Sequence, residues 1–92
     1  MSSRKVCFMR DVFKALSDQT RRDILEMLKD KKLTASEISS HFDMSQASVS
    51  QHLKILKYND LIYSERQGKY IYYHLNLSVF EEVIKWITQF HK

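Results

Sequence analysis

Residues 34–56 read Thr34-Ala-Ser-Glu-Ile-Ser-Ser-His-Phe-Asp-Met-Ser-Gln-Ala-Ser-Val-Ser-Gln-His-Leu-Lys-Ile-Leu. The spacing predicts two short helices joined by a tight turn. Thr34 and Glu37 have the T-x-x-E spacing of a capping box, opening a helix that buries Ile38 and Phe42. Asp43 is the expected left-handed residue of the turn, and Ser45 caps the second helix. In that helix Val49, Leu53 and Leu56 recur at i, i+4 and i+7, a stripe that faces a core. The opposite face carries Gln46, Ala47, Ser50, Gln51 and Lys54. A merely solvated helix more often carries Glu/Lys pairs there. Short hydrogen-bonding side chains around an alanine suit a surface that approaches base edges in a DNA major groove.

Upstream, Met9, Val12, Phe13 and Leu16 sit at i, i+3, i+4 and i+7 and predict a first helix over 8–16. Ser17-Asp18 offers an N-cap for the next helix, which buries Ile24, Leu25 and Leu28. Downstream of Lys57-Tyr58-Asn59-Asp60 the hydrophobic period changes from helical to two. Leu61 to Arg66 and Lys69 to Leu75 read as strands of a wing over 61–75, joined at Gln67-Gly68. In the second strand Ile71, Tyr73 and Leu75 share one face, and Tyr70, Tyr72 and His74 share the other. The chain's one glycine, Gly68, falls at the hairpin tip, where a positive φ is needed. Ser78 and Glu81 have capping-box spacing and open a last helix over 78–91.

These elements fit one domain over 1–92, mainly α with a small β-hairpin, in the order α-α-α-α-β-β-α. That is a winged helix-turn-helix, with the helix-turn-helix at 34–57. The last helix carries Val79, Phe80, Val83, Ile84, Trp86, Ile87 and Phe90, more apolar surface than so small a monomer can cover. The simplest cover is a second copy, paired through the first and last helices. Met9, Val12, Phe13, Leu16, Phe80, Val83, Ile84, Ile87 and Phe90 are therefore the expected homodimer interface. Two-fold pairing would also double the weak readout of a single short helix.

Composition agrees with a nucleic-acid partner without demanding one. The chain has 15 Lys+Arg against 11 Asp+Glu, a net charge of +4. One cysteine, Cys7, excludes an intrachain disulfide and fits a reducing compartment. No apolar run is long enough for a signal peptide or a membrane span, so a cytoplasmic protein is expected.

Three stretches in their correct order are similar to the ArsR-type winged-helix repressors. Ser17-Asp18-Gln19-Thr20-Arg21-Arg22-Asp23-Ile24-Leu25 resembles that family's "S-D-P-T-R-R-x-I-L" opening. Residues 45–56 resemble its recognition helix, and Leu61-Ile62, Arg66-Gln67-Gly68-Lys69 and Tyr72-Tyr73-His74-Leu75 resemble its wing. Gln19 stands where the family usually has proline, which is favoured but not required at a first helical position. The closing helix resembles the compact, SdpR-like autorepressor subgroup rather than the metal sensors. The resemblance implies a bacterial homodimer that represses transcription by covering an operator. It also implies release through a sequestering partner protein rather than a small-molecule ligand.

Placed on the second helix of this motif, Gln46, Ser50 and Gln51 become candidates for base-edge contacts. Gln can bond adenine bidentately, and Ser can donate or accept. Ala47 suits a thymine methyl, and Ser48 lies at the edge of the polar face. Ser45 caps the helix and offers nearby backbone N–H groups to a phosphate. Arg66 and Lys69 flank the wing tip and are expected to reach phosphate or the minor groove. Lys54, Lys57, Thr34 and Ser36 are backbone candidates. Arg21 and Arg22 divide evenly between DNA contact and an internal role, and His52 reads as structural.

Two other classes compete. A metal-sensing repressor needs clustered soft or imidazole ligands. The helix opening at residue 35 has no cysteine, and Cys7, His41, His52, His74 and His91 are scattered over different elements. Redox sensing by Cys7 has no resolving cysteine within the chain. No metal site and no cofactor is expected. An enzyme is disfavoured by the absence of a nucleophile elbow or a glycine-rich phosphate loop. A winged helix serving protein interaction is the remaining alternative.

Overall fold

The computed structural model describes residues 11–91. Cys7, Met9 and the start of the expected first helix lie outside them. The chain runs α1 (11–16), α2 (Gln19–Met27), β1 (Leu33–Thr34), α3 (Ala35–Ser39), α4 (Gln46–Tyr58), β2 (Ile62–Gln67), β3 (Tyr70–Leu75) and α5 (Leu77–Thr88). This is a winged helix-turn-helix whose wing belongs to a three-stranded antiparallel sheet of order β1-β3-β2.

The helix starts are fixed by short polar side chains. Asp18 caps α2 by accepting the Arg21 N–H at 3.1 Å. That bond, first among the causes, holds the Asp18 carboxyl below its ordinary pKa, with burial opposing. Thr34 and Glu37 form the reciprocal capping box, with Glu37 N–H to Thr34 Oγ1 at 3.1 Å and Thr34 N–H to Glu37 Oε1 at 2.9 Å. Ser45 Oγ accepts the Ser48 N–H at 3.1 Å and starts α4.

The cap of α5 is Asn76, not Ser78. Asn76 still donates its N–H to Leu61 O at 3.0 Å, so the chain leaves the sheet there. The Asn76 side chain then accepts the Ser78 N–H at 3.3 Å, which places Ser78 inside the first helical turn. The helix ends at Thr88.

The left-handed residue is Asp60 (φ 60°), not Asp43; it is the one non-glycine residue with positive φ among those described. The reversal between α3 and α4 is spread over the bends at residues 40–45, so no residue there has to adopt that conformation. At the end of α4 the turn is abrupt. Leu61 N–H bonds Leu56 O and Asp60 N–H bonds Lys57 O, both at 3.0 Å, in the pattern of a Schellman motif. Leu56 and Leu61, both fully buried, make its apolar clasp. Aspartate tolerates this conformation less well than glycine. Asp60→Gly is therefore expected to stabilise the fold by up to about 1 kcal/mol, raising Tm by roughly 4–8 °C. A lower Tm on thermal melting would contradict the assignment of strain to Asp60.

The hairpin turn is Gly68-Lys69 rather than Gln67-Gly68. Gln67 pairs with Tyr70, and Gly68 has φ 66° at the first central position, as the primed hairpin turns require. The sheet alternates as expected: Tyr73 and Leu75 pack on the core, whereas Ile71 overhangs near the tip and is exposed. Strand β1, which pairs Leu33 with Tyr73 and Thr34 with Tyr72, has no counterpart in the sequence reading. Two residues give no detectable period, and Thr34 is also a helix cap.

Ile24, Ile38, Val49, Leu56, Leu61 and Ile62 form the centre of the core. Both terminal helices contribute to it, which corrects two interface assignments. Val12 is 0% and Val83 7% exposed within the protomer, because they occupy the core-facing sides of α1 and α5. Phe13, Leu16 and Phe80 are half-buried against the same core.

Candidate nucleic-acid interface

Helix α4 is anchored by Val49, Leu53 and Leu56, all buried, so its opposite side must face outward. Gln46, Ala47, Ser48, Ser50, Gln51 and Lys54 are all exposed. Ala47 and Gln51, one turn apart, lie most nearly opposite the buried stripe. Among the described residues neither the Gln46 nor the Gln51 amide makes an intramolecular hydrogen bond. Both keep donors and an acceptor for a ligand.

The other candidates divide. Ser48 Oγ accepts a hydrogen bond from Ser45 Oγ at 3.0 Å, so both hydroxyls are engaged at the helix start. Thr34 Oγ1 both accepts from Glu37 N–H and donates to Glu37 Oε1 at 3.3 Å, so its side chain is used in the capping box. Ser36 is exposed on the first turn of α3. At the wing tip Arg66 and Lys69 are exposed; Arg66 Nε donates to Gly68 O at 3.4 Å, and Lys69 Nζ lies 5.7 Å from the Tyr70 ring centroid. Lys32 bonds Gln67 and lies 4.6 Å from the Tyr72 ring centroid, tying the β1 edge to the wing. Lys54 and Lys57 are exposed, with no carboxylate within ion-pair reach among the described residues.

Arg21, half-buried, and Arg22, exposed, both bond within the chain. Arg21 Nε donates to Ala15 O at 2.7 Å and Nη2 to Lys14 O at 3.2 Å, satisfying carbonyls at the end of α1. Arg22 Nη1 does the same for Leu16 O at 2.8 Å. His52 is partly buried with Arg21 Nη1 3.3 Å from its Nδ1. The same Nδ1 lies 3.8 Å from Asp18 Oδ2, so the ring sits between a guanidinium and a carboxylate. Arg21 thereby links α1, α2 and α4.

Histidines and carboxylates meet in pairs. Besides the His52–Asp18 approach, His74 Nε2 is 3.0 Å from Glu65 Oε1. Among the described residues no group of three or more His, Cys, Asp or Glu converges on a point where a metal ion would sit. No helix of the described residues is long and apolar enough to cross a membrane.

The model of the bacterial regulatory proteins of the arsR family matches residues 18–64, which span α2, the helix-turn-helix and the start of the first strand of the wing. The chain belongs to the ArsR family. Among its ArsR-type relatives is the transcriptional repressor SdpR of Bacillus subtilis, 48% identical over 89% of this chain and 91% of that one. The arsenical resistance operon repressor of Staphylococcus aureus is 34% identical over 80% of this chain and 71% of its own. An ArsR-like transcriptional regulator from Rhodococcus sp. RHA1 superposes with a TM-score of 0.85 at 26% identity, covering 92% of this chain and 80% of the other. This ArsR-family chain is thus a DNA-binding transcriptional regulator and not an enzyme. The resemblance read from residues 17–25, 45–56 and the wing holds.

The position of Tyr73 against α4 was not legible in the sequence. Period-two alternation assigns its face but not what that face meets. Only the packing of the hairpin on the helix brings Tyr73 beside Lys54 and Lys57.

Proposed function

We propose that this regulator is a homodimeric, metal-independent repressor in the bacterial cytoplasm, acting on an inverted-repeat operator that includes its own promoter. The observation that carries the reading is the outward face of α4, where Gln46 and Gln51 stand exposed around Ala47 with their side-chain amides unpaired among the described residues, beside a wing tip bearing Arg66 and Lys69. Amides read base edges, and the cations hold the backbone. Repression, rather than activation, is supported by the extent of the likeness to the repressor SdpR.

An apolar stripe along α5 and just past its end supports the two-fold arrangement. Ile84 is 58%, Ile87 51% and Phe90 69% exposed, and Leu77 continues the apolar surface toward the start of the helix. Half-buried Phe13, Leu16 and Phe80 border it. In a dimer these residues gain the cover that the described residues of one protomer do not supply, and two copies of α4 are presented to one face of the duplex. Metal independence is supported by the pairwise arrangement of histidines and carboxylates. Release would then fall to a sequestering partner protein rather than to a ligand or cofactor.

Selection from a pool of randomised duplexes tests the reading. It is expected to enrich an imperfect inverted repeat whose half-sites lie about one helical turn apart, centre to centre. Enrichment of a single, non-repeated site, or of none, would contradict it.

A further inference from the structure

Between α4 and the wing lies a concavity that base reading does not use. Ser50, Leu53, Lys54, Lys57 and Tyr73 line it, around a volume of about 270 Å³. Ser50, Lys54 and Lys57 recur at i, i+4 and i+7, so one flank of α4 presents a hydroxyl and two ammonium groups to the hairpin. Tyr73 enters from β3, opposite Ser64 on β2 and Leu33 on β1, with its ring packed against the core. Among the described residues its hydroxyl has no hydrogen-bond partner, and neither lysine has a carboxylate within ion-pair reach. The floor is therefore apolar, made by Leu53 and the Tyr73 ring, and the rim carries two cations and two hydroxyls.

That combination fits a sugar-phosphate backbone. Phosphate oxygens accept from lysine, tyrosine and serine, while deoxyribose rests on apolar atoms. The location agrees. On one side stands the helix face suited to a major groove, and on the other the Arg66–Lys69 tip suited to the next minor groove. What separates two neighbouring grooves is one strand's backbone.

We infer that this notch seats the strand between the two grooves. Lys54, Lys57 and Tyr73 bind its phosphates, and Ser50 donates to the same backbone rather than to a base. Tyr73 is thus a backbone-contact residue, separate from Ala47 and Gln51 on the base-reading face. The inference rests on the DNA-binding reading above.

The test uses the full chain, with fluorescent duplexes of random sequence and of the selected operator titrated across a salt series. Tyr73→Phe keeps the ring and its packing. It is expected to weaken binding about three- to tenfold, by the same factor on both duplexes, with Tm unchanged. Lys57→Ala is expected to lower the salt slope by about 0.9 on each. Ser50→Ala is expected to weaken both duplexes equally. Wild-type affinity and slope in Tyr73→Phe and Lys57→Ala would overturn the notch, and a Ser50→Ala loss confined to the operator would return that residue to base reading. Failure of the underlying DNA reading looks different: the wild-type chain would then bind neither duplex at low salt.

Discussion

Replacing Gln51 with alanine is expected to cost about 1–3 kcal/mol of affinity on the selected operator and almost nothing on random duplex. Gln51 lies opposite the buried Val49–Leu53–Leu56 stripe, exposed, with its amide unpaired among the described residues. A bidentate bond to one adenine is lost by truncation, whereas phosphate contacts are not. The substitution is on the helix surface and away from its cap, so the fold should be unaffected. Competition binding with operator and random duplexes at one salt concentration measures the difference. An equal loss on both would remove Gln51 from the base-reading set and leave Gln46 and Ala47 to carry specificity.

The second large effect is expected at the opposite side of the molecule. Ile84 is exposed at the middle of the α5 stripe, so Ile84→Asp leaves the protomer core untouched. In a two-fold dimer it would bury an unpaired carboxylate and bring its symmetry mate close. Breaking a buried contact in this way costs about 3–5 kcal/mol, equivalent to roughly a hundredfold or more in dimer affinity. Operator affinity should fall with it, because each half-site is then bound independently. Unchanged far-ultraviolet circular dichroism would show that the helices persist. A variant that still sediments as the dimer and binds the operator normally would place the interface elsewhere.

The recognition unit was legible because each of its signals is local. The Thr34–Glu37 box, the Ser45 cap and the Val49–Leu53–Leu56 stripe all act within a turn or two of helix, and the structure has each of them. Arg21 and Arg22 were ambiguous because a guanidinium that binds phosphate and one that closes the end of a helix look alike in sequence. Their partners, the carbonyls of Ala15 and Leu16, are fixed only once α1 folds back on α2.

The misreadings share a cause. Ser78 has the right spacing to Glu81, but the last sheet hydrogen bond at Asn76 decides where the chain is free to turn. Asp43 has the right chemistry for a left-handed turn, but the tight stop of α4 at Asp60 is where such a residue is needed. Val12 and Val83 share the helical spacing of the exposed residues, and only tertiary packing separates the core side from the uncovered side. Periodicity reports that a helix is amphipathic; it does not divide one apolar surface between two partners.

The central claim, a two-fold DNA reader, is tested most directly by sedimentation of the chain alone and with its selected operator at micromolar concentration. A dimer is expected in both cases, with two chains on each inverted repeat. A monomer that binds one chain per duplex would contradict it.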